Sequence, residues 1–118
     1  MRVLICEDNP IIAMELEYLL EGAGHTVVGI AARSTAAISL ARDHQPDAAL
    51  VDLGLADGRT GLLVAVELRR LAIPFVIVSG ELGFLPEDHG AAALLEKPVR
   101  GTALLEALEG IGPSRPEG

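Results

Sequence analysis

The chain has 118 residues, 50% of them hydrophobic and 22% charged, which is one globular domain's worth of sequence with enough apolar content to bury its own core. A net charge of −8, with Arg69-Arg70 the one adjacent basic pair, argues against nucleic acid, whose phosphates are bound by clustered Lys and Arg. No apolar run reaches the roughly 18 to 20 residues of a membrane span.

MRVLIC passes directly into a strand-like run without the features of a signal peptide, so a cytoplasmic location is expected. The single cysteine, Cys6, has no internal disulfide partner and sits in an apolar run, where a buried core thiol is expected.

The first strand is predicted over Arg2 to Cys6. Asn9-Pro10 then supplies a capping side chain and a proline at the first helical position, opening a helix to about Glu21. Ile12, Leu16, Leu19 and Leu20 form its apolar stripe, Glu15, Glu17 and Glu21 its wet side, and Gly22 or Gly24 its end. Thr26 to Ala32 reads as a second strand. Ser34 is expected to cap a second helix carrying Ala37, Leu40 and Ala41 inward, stopped by Gln45-Pro46.

Asp47 to Val51 is a third strand whose unbroken apolar run suits a central position covered on both faces. Gly54, Gly58 and Gly61 mark a loop, Leu62 to Leu71 a helix, and Phe75 to Val78 a fourth strand behind Pro74. Gly80, Gly83 and Pro86 leave room for only a short helix around Glu87. Ala92 to Leu95 reads as a fifth strand and Thr102 to Ile111 as a last helix, with Leu104, Leu105, Leu108 and Ile111 toward the core. The domain is predicted over 1–112, and 113–118 as a disordered tail. Strands alternating with helices define an α/β fold with a parallel sheet.

In such a sheet the carboxyl ends of the strands share one edge, where ligands bind. Glu7-Asp8, Asp52, Ser79 and Lys97-Pro98 each follow one of these apolar segments, so residues distant in sequence are expected in one pocket. Three converging carboxylates repel one another unless a proton or a cation compensates. Oxygen-only ligands suit Mg2+, which takes one or two carboxylates together with a phosphate oxygen. Lys97 can bring a compact positive charge to a phosphoryl group and Ser79 a hydroxyl hydrogen bond. His25, His44 and His89 lack a spacing that would hold a metal, and His25 reads as a turn residue; Tyr18 and Phe84 read as packing or rim residues.

From Arg2 to about Ile111, this order of an acidic pair, an aspartate, a serine and a Lys-Pro resembles the receiver domain of two-component response regulators. That family has a flavodoxin-like (βα)5 fold with strand order 2-1-3-4-5. The resemblance implies that Asp52 is phosphorylated by a sensor histidine kinase or histidine phosphotransfer protein, with autodephosphorylation as built-in chemistry rather than enzymatic turnover. It implies Mg2+ on Asp8, Asp52 and the Gly54 carbonyl, with Glu7 acting through bound water. It also places Asn9 at the rim, Lys97 and Ser79 on the phosphoryl group, and a cis bond at Lys97-Pro98.

The chain departs from the family pattern in three places. Leu94 stands where many receivers carry a switching aromatic, Ala56 stands where a proline is frequent, and the segment from Ser79 to Lys97 is short, so the fourth helix is expected to be short or missing. In this the chain resembles atypical receivers without the aromatic switch. The expected role is a receiver that signals to an unknown output protein by contact or acts as a phosphate sink. The alternative is a phosphate-independent interaction module with a receiver-like fold. A homodimer is compatible with the sequence, with Phe84 a candidate interface residue.

Overall fold

The computed structural model describes residues 1–83 and 85–111. The elements run β1 (Arg2–Cys6), α1 (Pro10–Gly22), β2 (Thr26–Ala31), α2 (Ser34–His44), β3 (Ala48–Val51), α3 (Gly61–Arg70), β4 (Phe75–Ser79), β5 (Ala93–Glu96) and α4 (Gly101–Ile111). The five strands form one parallel sheet of order β2-β1-β3-β4-β5. This is the expected flavodoxin-like order, and boundaries differ from expectation by one residue at most element ends.

Strand side chains alternate between the two faces, and each face is packed by helices. Leu4, Cys6, Ala49, Val51, Phe75 and Ile77 join Ala37, Ala41, Val64 and Leu68 of α2 and α3. Val3, Ile5, Ala48, Leu50, Val76 and Val78 join Leu16, Leu20, Leu104 and Leu108 of α1 and α4. The central strands β1, β3 and β4 are thus apolar on both sides, which is why their sequences lack polar alternation. Cys6 lies in this core, where burial pushes its thiol up to about 12.

Helix ends follow local chemistry. Asn9 accepts hydrogen bonds from the N–H groups of Ile11 and Ile12, so the expected cap forms. Gln45 ends α2 in the left-handed conformation, with φ of 45°. Ser34 differs from expectation: Arg33 is the N-cap residue and makes no side-chain cap, while the Ser34 hydroxyl donates to Asp57 of the next loop at 2.6 Å. Ala37 and Ala41 face inward as expected, and Leu40, half-buried, packs against the same core cluster. Tyr18 is not a packing residue. It stands on the outer side of α1, 80% exposed.

Between β4 and β5 there is no helix among the described residues, and Glu87-Asp88 form only a turn. Arg69 of α3 holds this connection by donating to the Asp88 carbonyl at 3.0 Å, with its side chain packed where a Cβ on Gly90 would lie. Phe84 and the tail from 112 onward lie outside the described residues. Among the described residues no helix is long and apolar enough to cross a membrane.

Candidate functional site

Backbone hydrogen bonds join the strand ends into one ledge. The Glu7 N–H donates to the Ala31 carbonyl at 2.9 Å, the Asp52 N–H to the Cys6 carbonyl at 2.9 Å, and the Lys97 N–H to the Ser79 carbonyl at 2.9 Å. Each bond extends the parallel ladder by one step past a strand. Polar side chains that follow four different apolar runs therefore emerge at one edge.

Glu7, Asp8 and Asp52 offer carboxylate oxygens that all lie within 4.8 Å of one another. Glu7 is 3% exposed and Asp52 8%, while Asp8 is open to solvent. Lys97 enters from the β5–α4 connection, beside a cis Lys97-Pro98 bond, and its ammonium donates to Glu7 Oε1 and Asp52 Oδ2, each at 2.7 Å. The second oxygen of Glu7 accepts the Asn9 N–H at 3.0 Å, and Oδ1 of Asp52 accepts the Gly54 N–H at 3.3 Å. Asp52 is thus oriented from two sides. Ser79, the last residue of β4, is buried at the same edge; its hydroxyl oxygen accepts the Glu81 N–H at 3.2 Å, which leaves its proton free to donate.

Burial raises the Glu7 carboxyl above its ordinary range, and the neighbouring Asp52 charge acts the same way, against lowering hydrogen bonds from Lys97 and Asn9. For Lys97, burial acts to lower the ammonium, but hydrogen bonds and charge from Asp52 and Glu7 outweigh it and the net direction is upward. One ammonium among three carboxylates leaves the site short of positive charge. A hard divalent cation fits this donor set: clustered carboxylate oxygens, an exposed approach at Asp8, and the exposed backbone of Gly54 alongside.

The residues expected at the site from sequence are all brought to this edge: Glu7, Asp8, Asp52, Gly54, Ser79 and Lys97. Leu94, at the position of the family aromatic, lies on the edge strand β5 and is 39% exposed. Sequence reasoning missed Asp57, which joins the β3–α3 loop to the start of α2. Its signal was an Asp-Gly step, which reads as an ordinary turn. It also missed how tightly Gly61 is held: a Cβ there would collide with the Asp52 carbonyl.

Residues 3–109 match the response regulator receiver domain, and the chain belongs to that family. It is a receiver domain of the kind used in two-component signalling. Among curated relatives, the phyllosphere-induced regulator PhyR of Methylorubrum extorquens is 38% identical over 103 residues, covering 84% of this chain and 39% of that protein. The transcriptional regulatory protein PdtaR of Mycobacterium tuberculosis is 35% identical over 114 residues, covering 92% of this chain and 55% of that one. The chain therefore spans less than two thirds of the length of these relatives.

Among solved structures, the PhyR receiver domain from Erythrobacter litoralis superposes with a TM-score of 0.83 at 28% identity, covering 99% of this chain and 95% of that one. A CheY-like receiver domain from Methylobacillus flagellatus gives a TM-score of 0.83 at 30% identity, covering 94% and 98% respectively.

Proposed function

We propose that Asp52 is the phosphoacceptor of a two-component phosphorelay, and that Mg2+ is held by Asp8, Asp52 and the Gly54 carbonyl, with Glu7 acting through a bound water. The observation that carries this reading is the convergence of three carboxylates within 4.8 Å, with Lys97 bridging two of them. When bound, the cation would neutralise charge on the phosphoryl oxygens.

The protein's own part is positioning and charge. A carboxylate oxygen of Asp52 attacks phosphorus, the N–P bond of the donor phosphohistidine breaks, and the imidazole leaves with its electron pair and takes a proton from solvent. Lys97 can shift from the Asp52 carboxylate to a phosphoryl oxygen as negative charge moves outward, and Ser79 can donate its hydroxyl proton to another. Hydrolysis reverses the connectivity: water attacks phosphorus, the bond between phosphorus and the aspartyl oxygen breaks, and Asp52 is regenerated with release of inorganic phosphate. The domain is thus a regulatory phosphoacceptor and not a turnover enzyme.

The donor protein docks along α1. Ile11, Met14 and Tyr18 are 68%, 66% and 80% exposed and lie at helical spacing on a helix that starts beside the acidic pair. Output is by protein contact, in a cytoplasmic setting; the similar PhyR from Bartonella quintana is an anti-anti-sigma factor. Incubation with a small-molecule phosphodonor and Mg2+ should add one phosphoryl group, and chelation should prevent it. No labelling at saturating donor would overturn the reading.

A further inference from the structure

The β3–α3 loop carries Gly54 and closes on itself. Leu55 and Gly58 exchange backbone hydrogen bonds at 2.8 and 3.0 Å, with Gly58 at a φ of 112°, and the Gly61 N–H returns to the Leu53 carbonyl at 3.0 Å. Its tip is held by one carboxylate. Asp57 Oδ2 accepts the Ser34 hydroxyl at 2.6 Å, Oδ1 accepts the Thr60 hydroxyl at 2.6 Å, and both oxygens share the Ser34 N–H at 3.1 and 3.2 Å. The Ala56 N–H adds a bond to the Ala32 carbonyl at 2.8 Å.

Asp57 therefore caps α2 from another loop, in place of the cap that Arg33 does not provide. Hydrogen bonds from Ser34 and Thr60 hold its carboxyl down to about 2, which favours the charged form that accepts both hydroxyls. The far end of the same short loop is Asp52, whose Oδ1 already bonds the Gly54 N–H.

We propose that Asp57 is a positioning residue for the chemistry at Asp52: by bridging Ser34 and Thr60 it pins the β3–α3 loop to the β2–α2 junction, and so holds the Gly54 backbone where the cation and the phosphoryl group are received. The inference rests on Asp52 being the phosphoacceptor. A carboxylate is the group the position needs, because two hydroxyl donors arrive at its two separate oxygens. Asparagine supplies one acceptor oxygen and turns an amide toward the other hydroxyl, and alanine supplies none.

The test compares wild type with Asp57→Ala, Asp57→Asn and Ala36→Gly, the last an exposed change that weakens α2 without touching the bridge. Amide exchange at Gly54 and Ala56, the Mg2+ dissociation constant by NMR titration, and small-phosphodonor labelling at saturating Mg2+ are read for each. Asp57→Ala should speed exchange at both amides and weaken Mg2+ binding by about tenfold, the lower end of what loss of an outer-shell partner costs, with Asp57→Asn intermediate and Ala36→Gly at the wild-type level. Labelling at saturating Mg2+ should fall in the same order. Equal Mg2+ affinity in wild type and Asp57→Ala, or an equal loss in Ala36→Gly, would overturn the proposal. If wild type itself takes up no phosphoryl group, the phosphoacceptor reading fails, and the exchange and Mg2+ measurements still decide whether Asp57 positions the loop.

Discussion

The Lys97 ammonium lies 2.7 Å from Asp52 Oδ2 and 2.7 Å from Glu7 Oε1, so one cation bridges carboxylates that arrive from the ends of β3 and β1. Its side chain is 21% exposed, against 2% for Glu7 and 10% for Asp52, so solvent screens the bridge only in part. This geometry makes Lys97 both a counter-charge for the two carboxylates and the group ready to follow a phosphoryl oxygen.

Lys97→Met should expose that double role. Breaking a buried pair costs about 3–5 kcal/mol, and the partial exposure of Lys97 places the expected loss in chelator at about 2–3 kcal/mol, read from urea midpoints. Added Mg2+ should recover much of the loss, since it binds the native carboxylates more tightly once the competing ammonium is gone. Labelling by a small phosphodonor should nonetheless fall by about tenfold or more, because a donor to the phosphoryl oxygens has been removed.

Glu7 makes a pH-dependent prediction. Its folded-state carboxyl is raised above the ordinary value of 4.5, first by burial. The stability linked to its protonation is therefore fully present below 4.5 and is lost as pH rises through the higher folded-state value. Glu7→Gln does not titrate, so its stability relative to wild type should improve as pH rises across that window in chelator. Saturating Mg2+, which favours the ionised carboxylate, should flatten the difference. Parallel urea midpoints at each pH, with and without Mg2+, check both statements.

Much of this site was legible before any coordinates, because a parallel sheet converts strand order into spatial order. Glu7, Asp8, Asp52 and Lys97 each follow an apolar run, and the edge they share needs no long-range detail to predict. What sequence did not show was made by contacts between loops. Ser34 has the chemistry of a helix cap, but Asp57 competes for its hydroxyl and its N–H, and no periodicity announces that meeting. Tyr18, read as a packing or rim residue, does not pack, for a related reason. Aromatic rings usually find a buried face. The outer side of α1 has none to offer among the described residues, and the helix is already anchored by Leu16 and Leu20.

Gly61 links fold and site. A methyl group there would run into the Asp52 carbonyl and the Leu53 backbone, neither of which is free to move without shifting β3 or α3. Gly61→Ala should lower stability by about 1–3 kcal/mol, as overpacking does in a well-filled core. Labelling of the folded fraction should fall too, because relief of the clash displaces the phosphoacceptor backbone. Urea denaturation and labelling below the transition read the two effects separately.

The exposed stripe on α1 predicts a split between chemistry and docking. Ile11→Ala, Met14→Ala and Tyr18→Ala remove side chains that pack on little within the domain, so each should change stability by less than about 0.5 kcal/mol. Labelling by a small phosphodonor should be unchanged. Transfer from a phosphorylated histidine phosphotransfer protein should lose about tenfold or more in at least one of the three, as expected when an interface anchor is removed. Equal transfer in all three would place donor docking elsewhere.

The most direct measurement is the identity of the phosphorylated atom. After incubation with Mg2+ and a small phosphodonor, borohydride reduction converts an aspartyl phosphate to homoserine, which peptide mass spectrometry locates. One homoserine is expected, at position 52, and no phosphoryl adduct on Asp52→Asn. An adduct on a different residue, or undiminished labelling of Asp52→Asn, would contradict it.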